Sequence, residues 1–210
     1  MKLVDLNVKD FAQKMASSDP TPGGGSAAAL SGLVGIALVE MVANLTIGRK
    51  KYAEHDELMQ SIIKEAKVLR EKFLNAIDDD AKSYDAVSRA FKLPKETDEE
   101  KAARSAAIQE ATKGATLSPF VITELSLDAM KLAHSAIGKC NTNAASDLGV
   151  AAVNFRAAAK GAWLNILINL GGLKDEEFKA DIRVKAKALR KEAKALAKEI
   201  KAFVIAEIDQ

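Results

Sequence analysis

The sequence predicts an all-α fold: an up-and-down-like helical bundle with two apolar helices at its centre. No segment alternates apolar and polar residues for long, and no hairpin dipeptide separates two such runs. Apolar residues recur instead in steps of three and four over long stretches. Alanine, leucine and lysine dominate, and there are 4 prolines in 210 residues.

A short first helix follows Asn7, with Val8, Phe11, Ala12 and Met15 on one face. It stops at residues 17–25, Ser-Ser-Asp-Pro-Thr-Pro-Gly-Gly-Gly, which cannot be regular helix. Ser26 reads as the N-cap of a second helix running to about Gly48. That helix is apolar nearly all round, as a central buried helix is. Its small residues, among them Ser31, Gly32 and Gly35, let neighbouring helices approach closely. A third helix spans roughly His55 to Phe91, with a seam of Leu58, Ile62, Ala66, Leu69, Phe73, Ile77, Tyr84, Val87 and Phe91. Leu93-Pro94 ends it, and Thr97-Asp-Glu-Glu100 is a capping box that opens a fourth. Ser118-Pro119 marks either the start of a fifth helix or a kink in a continuous one. Asn143 or Ser146 opens a sixth, again apolar nearly all round and closed by Gly171-Gly172. Asp175 caps a last helix whose seam runs from Phe178 to Ile208. There is no internal repeat and no dividing linker, so one domain over residues 1–210 is expected.

Composition narrows the function classes. Hydrophobic residues make up 48% and charged residues 29%, which suits a packed globular chain rather than a disordered one. A net charge of +2 argues against nucleic acid or an anionic membrane as partner. One cysteine, Cys140, excludes an internal disulfide framework, so a cytoplasmic location is expected. Charges interrupt residues 1–10, which therefore do not read as a signal peptide. The most apolar stretch, Ala27 to Val39, falls short of the roughly 20 residues a membrane span needs.

Several residues break the helical pattern. Asp80 sits in the third helix's seam, three after Ile77 and four before Tyr84, while Asp78 and Asp79 are expected to point elsewhere. A carboxylate there needs a partner, or a seam that surfaces at that point. Asp147, Asn154, Asn165 and Asn169 lie close to whole turns apart and put one polar face on the apolar sixth helix. That face suits either a slot for a flat polar ligand or hydrogen bonds between helices. Pro22-Gly-Gly-Gly-Ser26 offers backbone N–H groups and a helix dipole to an anion, or is a plain tight turn. Arg49-Lys50-Lys51 is either a carboxylate grip or dipole-compatible surface. His55, His134 and Cys140 lack partners at metal-ligand spacing, so no metal is expected. No nucleophile motif occurs, and the basic run from Arg183 to Lys201 lacks aromatics and reads as a solvated face.

Six segments together resemble the cyclodeaminase domain of formiminotransferase-cyclodeaminase and the stand-alone bacterial methenyltetrahydrofolate cyclohydrolases. They are residues 20–29 (PTPGGGSAAA), 41–52 (MVANLTIGRKKY), 80–87 (DAKSYDAV), 92–97 (KLPKET), 143–152 (NAASDLGVAA) and 164–170 (LNILINL). The resemblance covers essentially the whole chain; no formiminotransferase domain accompanies it. It implies a helical homodimer that takes a tetrahydrofolate derivative, with or without a polyglutamate tail, as substrate in a cleft near the subunit interface, with no tightly bound cofactor. The implied main activity is formimidoyltetrahydrofolate cyclodeamination: N10 attacks the formimidoyl carbon, ammonia leaves, and 5,10-methenyltetrahydrofolate forms. Hydrolysis of the methenyl compound to 10-formyltetrahydrofolate is the alternative, and a non-catalytic folate-binding or assembly protein a third reading. The resemblance makes Asp80 and Asp147 the acid/base and cation-stabilising pair. Gly23, Gly24, Gly25 and Ser26 would meet the substrate through backbone N–H groups. Asn143, Ser146 and Asn165 would hold the pterin or bridge atoms, and Lys51 the glutamate tail.

Overall fold

A computed structural model describes residues 2–209. It contains α1 (Val8–Met15), α2 (Gly24–Asn44), α3 (Asp56–Phe91), α4 (Asp98–Ser135), α5 (Ala145–Gly171) and α6 (Glu176–Ile208). Short 3-10 turns occupy Leu3–Asp5, Lys50–His55 and Thr142–Ala144. No strand occurs among the described residues.

α2 packs on α3 and α5, α4 lies against α3 and α5, and α6 flanks α4 and α5. The two apolar helices run antiparallel, a register read from three glycines. A Cβ on Gly24 would stand 3.1 Å from Asn165 Nδ2, one on Gly161 would stand 3.2 Å from Ala28, and one on Gly35 would strike Phe155. Their small residues admit large neighbours. The Phe73 ring from α3 lies where a Gly32 Cβ would be, and Phe155 of α5 fills the space over Gly35. Both rings are fully buried, and each such burial contributes about 1.5–3 kcal/mol.

Three element boundaries differ from expectation. α2 begins at Gly24, with Gly23 as N-cap and no side-chain cap, so Ser26 is not the N-cap; its role falls to a residue of another helix. α2 also ends at Asn44 rather than Gly48, and with 21 residues it is long and apolar enough to cross a membrane by length and composition. Half of its most apolar stretch is buried inside the bundle, as a core helix requires.

α4 runs unbroken through Pro119; no new helix starts there. Proline has no N–H to donate to the carbonyl four residues back, which leaves Ala115 O without its helical partner. Asn169 Nδ2 of α5 donates to that oxygen at 2.6 Å. A side chain from a neighbouring helix thus repairs the ladder. The Thr97 capping box opens α4 as expected, and the Asp175 side chain caps α6 by accepting from Phe178 N–H.

Candidate functional site

The residues singled out by sequence gather at two opposite ends of the α2–α5 pair. At the N-terminus of α2, Asp80 reaches in from α3. Its Oδ2 accepts the Ser26 N–H at 2.8 Å and lies 3.1 Å from Ser26 Oγ, whose hydroxyl also bonds Ile77 O at 3.0 Å. Asp80 therefore does the capping assigned to Ser26, from 54 residues away. Gly25 makes the approach possible, because a Cβ there would fall on the Asp80 carboxylate. Oδ1 takes no hydrogen bond among the described residues. Burial lifts the carboxyl above the ordinary aspartate range, and the two Ser26 bonds pull it partly back.

Asp80 is half-buried, and beyond it Tyr84 and Phe91 are exposed, so the seam surfaces just past this carboxylate. Its neighbours divide. Asp79 is exposed and pairs with Lys82 at 2.7 Å. Asp78, expected to point elsewhere, is buried and accepts the Leu3 N–H at 2.7 Å. That bond pins the N-terminal segment to α3.

Asn165 borders the same end. Its Nδ2 donates back to Gly161 O in its own helix at 3.0 Å, while the amide faces Gly24. Asn154 likewise bonds within α5, to Val150 O. Of the predicted polar face, Asn169 makes a bond to another helix. Gly23, Gly24, Gly25, Ser26, Asp80 and Asn165 thus stand together.

The second group lies at the N-terminus of α5. Asn143 and Ser146 are exposed and Asp147 is half-buried in the first turn. Asp147 has no side-chain hydrogen bond or ion pair among the described residues. The Lys51 Nζ rests 5.2 Å from the centroid of the Tyr52 ring. Tyr52 ties this turn to the α5 entry, its OH accepting from Thr142 N–H at 3.1 Å and lying 3.2 Å from Thr142 Oγ1. These bonds, the side-chain one first, lower the phenol's pKa. Asn141 locks the loop to the end of α2: its N–H donates to Thr46 Oγ1 at 2.8 Å and its Nδ2 to Leu45 O at 3.1 Å. Sequence reasoning missed Asn141 and Tyr52 as positioning residues, although Tyr52 closes one marked segment and Asn141 stands just before another.

Within one chain the two groups do not meet. Asp147 and Asn165 are 18 residues apart on α5, about 27 Å at 1.5 Å per residue. One chain cannot bring Asp80 and Asp147 to the same carbon.

The family model described as formiminotransferase-cyclodeaminase matches residues 7–188. The chain belongs to the formiminotransferase-cyclodeaminase family. Within it, the chain is 46% identical over 178 residues to a methenyltetrahydrofolate cyclohydrolase of Methylorubrum extorquens, covering 85% of each. It is 35% identical over 188 residues to the formimidoyltransferase-cyclodeaminase of Sus scrofa, of which it spans 35% of the length. A formiminotetrahydrofolate cyclodeaminase structure from Thermotoga maritima superposes with a TM-score of 0.87 at 26% identity, covering 96% of both chains. Membership of the formiminotransferase-cyclodeaminase family makes this chain an enzyme of the cyclodeaminase and cyclohydrolase group in folate metabolism.

Proposed function

We infer that this chain is a methenyltetrahydrofolate cyclohydrolase, adding water to the carbon between N5 and N10 and releasing 10-formyltetrahydrofolate. One observation carries the chemistry: Asp80 has one oxygen held by Ser26 and the other unengaged at a helix N-terminus. Oδ1 takes a proton from the attacking water as the C–O bond forms. The proton then passes to N5 as the C–N5 bond of the tetrahedral adduct breaks, and the adduct's hydroxyl gives its own proton to solvent as it becomes the formyl C=O, so that one proton is released overall. A carboxyl lifted by burial above the ordinary aspartate range holds a proton more readily than a free one, which suits the return half of that transfer. The free N–H groups of Gly24 and Gly25 stand ready for an oxygen of the substrate. An apolar hollow of about 490 Å³, lined by Phe11, Ala27, Leu30, Val34 and Ile77, begins at Ala27, two residues past Gly25, and would take the flat aromatic part of the folate.

The relative of matching length at 46% identity supports hydrolysis over deamination. The second reading is cyclodeamination of 5-formimidoyltetrahydrofolate, favoured by the Thermotoga maritima structure, which matches over nearly its full length. The same Asp80 would then take the N10 proton and deliver one to the departing nitrogen.

Two copies complete the site. Val34 and Met41 of α2 and Val150, Leu164 and Ile168 of α5 are exposed in the single chain, Ile168 by 75%. Exposed apolar residues gathered on one face are what an interface between copies would cover. A two-fold axis across the helices pairs α2–α5 with its copy and sets the Asp80 end of one chain against the Asp147 end of the other. Lys51, Asn143, Ser146 and Asp147 then come from the second copy, with Asp147 steadying the cationic carbon.

Purified protein offered 5,10-methenyltetrahydrofolate should speed the loss of methenyl absorbance above the spontaneous rate. With formimidoyltetrahydrofolate instead, ammonia release together with methenyl appearance would move the assignment to deamination. Neither signal would leave a binding protein. Asp80→Asn should lower kcat by about 10²-fold or more, the scale of losing a positioned proton-transfer group; an unchanged kcat removes Asp80 from the chemistry. Mixing inactive Asp80→Asn and Asp147→Asn proteins should restore about a quarter of wild-type activity, because half the dimers are mixed and hold one intact site each. No recovery after exchange would refute the shared site.

A further inference from the structure

α5 and α6 enclose a second, chemically different cleft of about 230 Å³, lined by Val153, Arg156, Ala157, Lys160, Arg190 and Lys194 among others. Arg156 and Lys160 are one turn apart on α5; Arg190 and Lys194 are one turn apart on α6. Like charges at that spacing weaken a helix, and here two such pairs face the same cleft. No acid offsets them. The acids in this part of α6 turn toward α4, Glu192 to Lys131 at 2.8 Å and Glu199 to His134 at 2.6 Å. None of the four cations has an ion pair or side-chain hydrogen bond among the described residues. The Arg190 guanidinium is held 4.9 Å over the Trp163 ring, and partial burial lowers its pKa. A stacked, partly desolvated arginine is a pre-placed anion fork. In a chain with a net charge of +2, four uncompensated cations around one cleft concentrate a positive field there.

We propose that this cleft binds a small oligoanion bearing two or more phosphate or carboxylate groups. Its volume lies below the range of drug-sized pockets, so it takes a compact anionic group rather than an extended ligand. The cleft is separate from the Asp80–Asn165 group: Lys160 and Asn165 are five residues apart, about 140° around α5.

Isothermal titration of the wild-type protein with inorganic pyrophosphate and with citrate, at about 0.1 M NaCl to screen diffuse attraction, tests this. At least one probe should bind saturably with Kd below about 1 mM. Pyrophosphate without citrate points to a phosphate ligand; citrate without pyrophosphate points to a carboxylate one. Lys160→Gln/Lys194→Gln should weaken binding by about tenfold or more. The control Lys198→Gln/Lys201→Gln removes the same charge from exposed positions on α6 and should leave Kd within about twofold. Circular dichroism melts verify that both variants fold. No saturable heat with either probe, or equal weakening by the two variants, would overturn the site.

Discussion

At the residue scale, Asp80 caps a helix and, in the proposed reaction, would also carry protons, two roles that pull against each other. It closes the first turn of α2 through Ser26 and leaves one oxygen free for chemistry. Because burial raises its pKa, the folded state holds this proton more tightly than the unfolded chain does. The stability tied to the neutral form is therefore present at low pH and falls as pH climbs through the raised value. Asp80→Asn stays neutral at every pH and keeps an oxygen for the Ser26 N–H. Melts between about pH 4 and about pH 8 should show the variant losing less stability than wild type as pH rises, while turnover collapses. A variant with the wild-type pH profile would show that the carboxyl carries no such load. Spacing alone marked Asp80 as an intruder in a seam and turned Asp78 away from it, but did not reveal that Asp78 is buried on a partner of its own. The Leu3 N–H that Asp78 accepts comes from 75 residues away, and no local periodicity contains that information.

At the element scale, the helices themselves were legible because 3.6-residue periodicity and caps are local properties. Ser118-Pro119 was ambiguous for a physical reason: a proline breaks a helix unless something else satisfies the orphaned carbonyl. Asn169 does so for Ala115 O. Asn169→Ala should cost about 1–3 kcal/mol, the penalty of leaving that carbonyl unsatisfied. In a Pro119→Ala background, where a backbone N–H is restored, the same change should cost far less. A double-mutant cycle by denaturant unfolding measures the coupling, and additive costs would break the link between the two residues. Ser26 was misread as a cap for a related reason. A good capping side chain in sequence does not reveal that a carboxylate from another helix takes over the task.

At the scale of the whole molecule, the ends of α2 and α5 decide which site residues can meet. Each group was recognisable as unusual by sequence, but their separation follows from the antiparallel register, which glycine contacts set through the fold. The same register aligns the exposed apolar residues of α2 and α5, the face on which the proposed second copy would sit. Ile168→Asp places a charge on that face and should shift the protein from dimer to monomer in gel filtration, with activity lost in proportion. An unaltered elution volume would point the contact to another surface.

Both tips of α2 are fastened to other parts of the chain. Asp80 grips its beginning, and Asn141 reaches Thr46 and Leu45 just past its end. Two phenyl rings also sit in the notches of Gly32 and Gly35 along its length. A rod clamped at both tips and keyed in the middle cannot slide by a turn without undoing all of these at once. Damage near Thr46 should therefore lower the melting temperature of the whole bundle, the Asp80 end included, rather than produce a graded change in turnover.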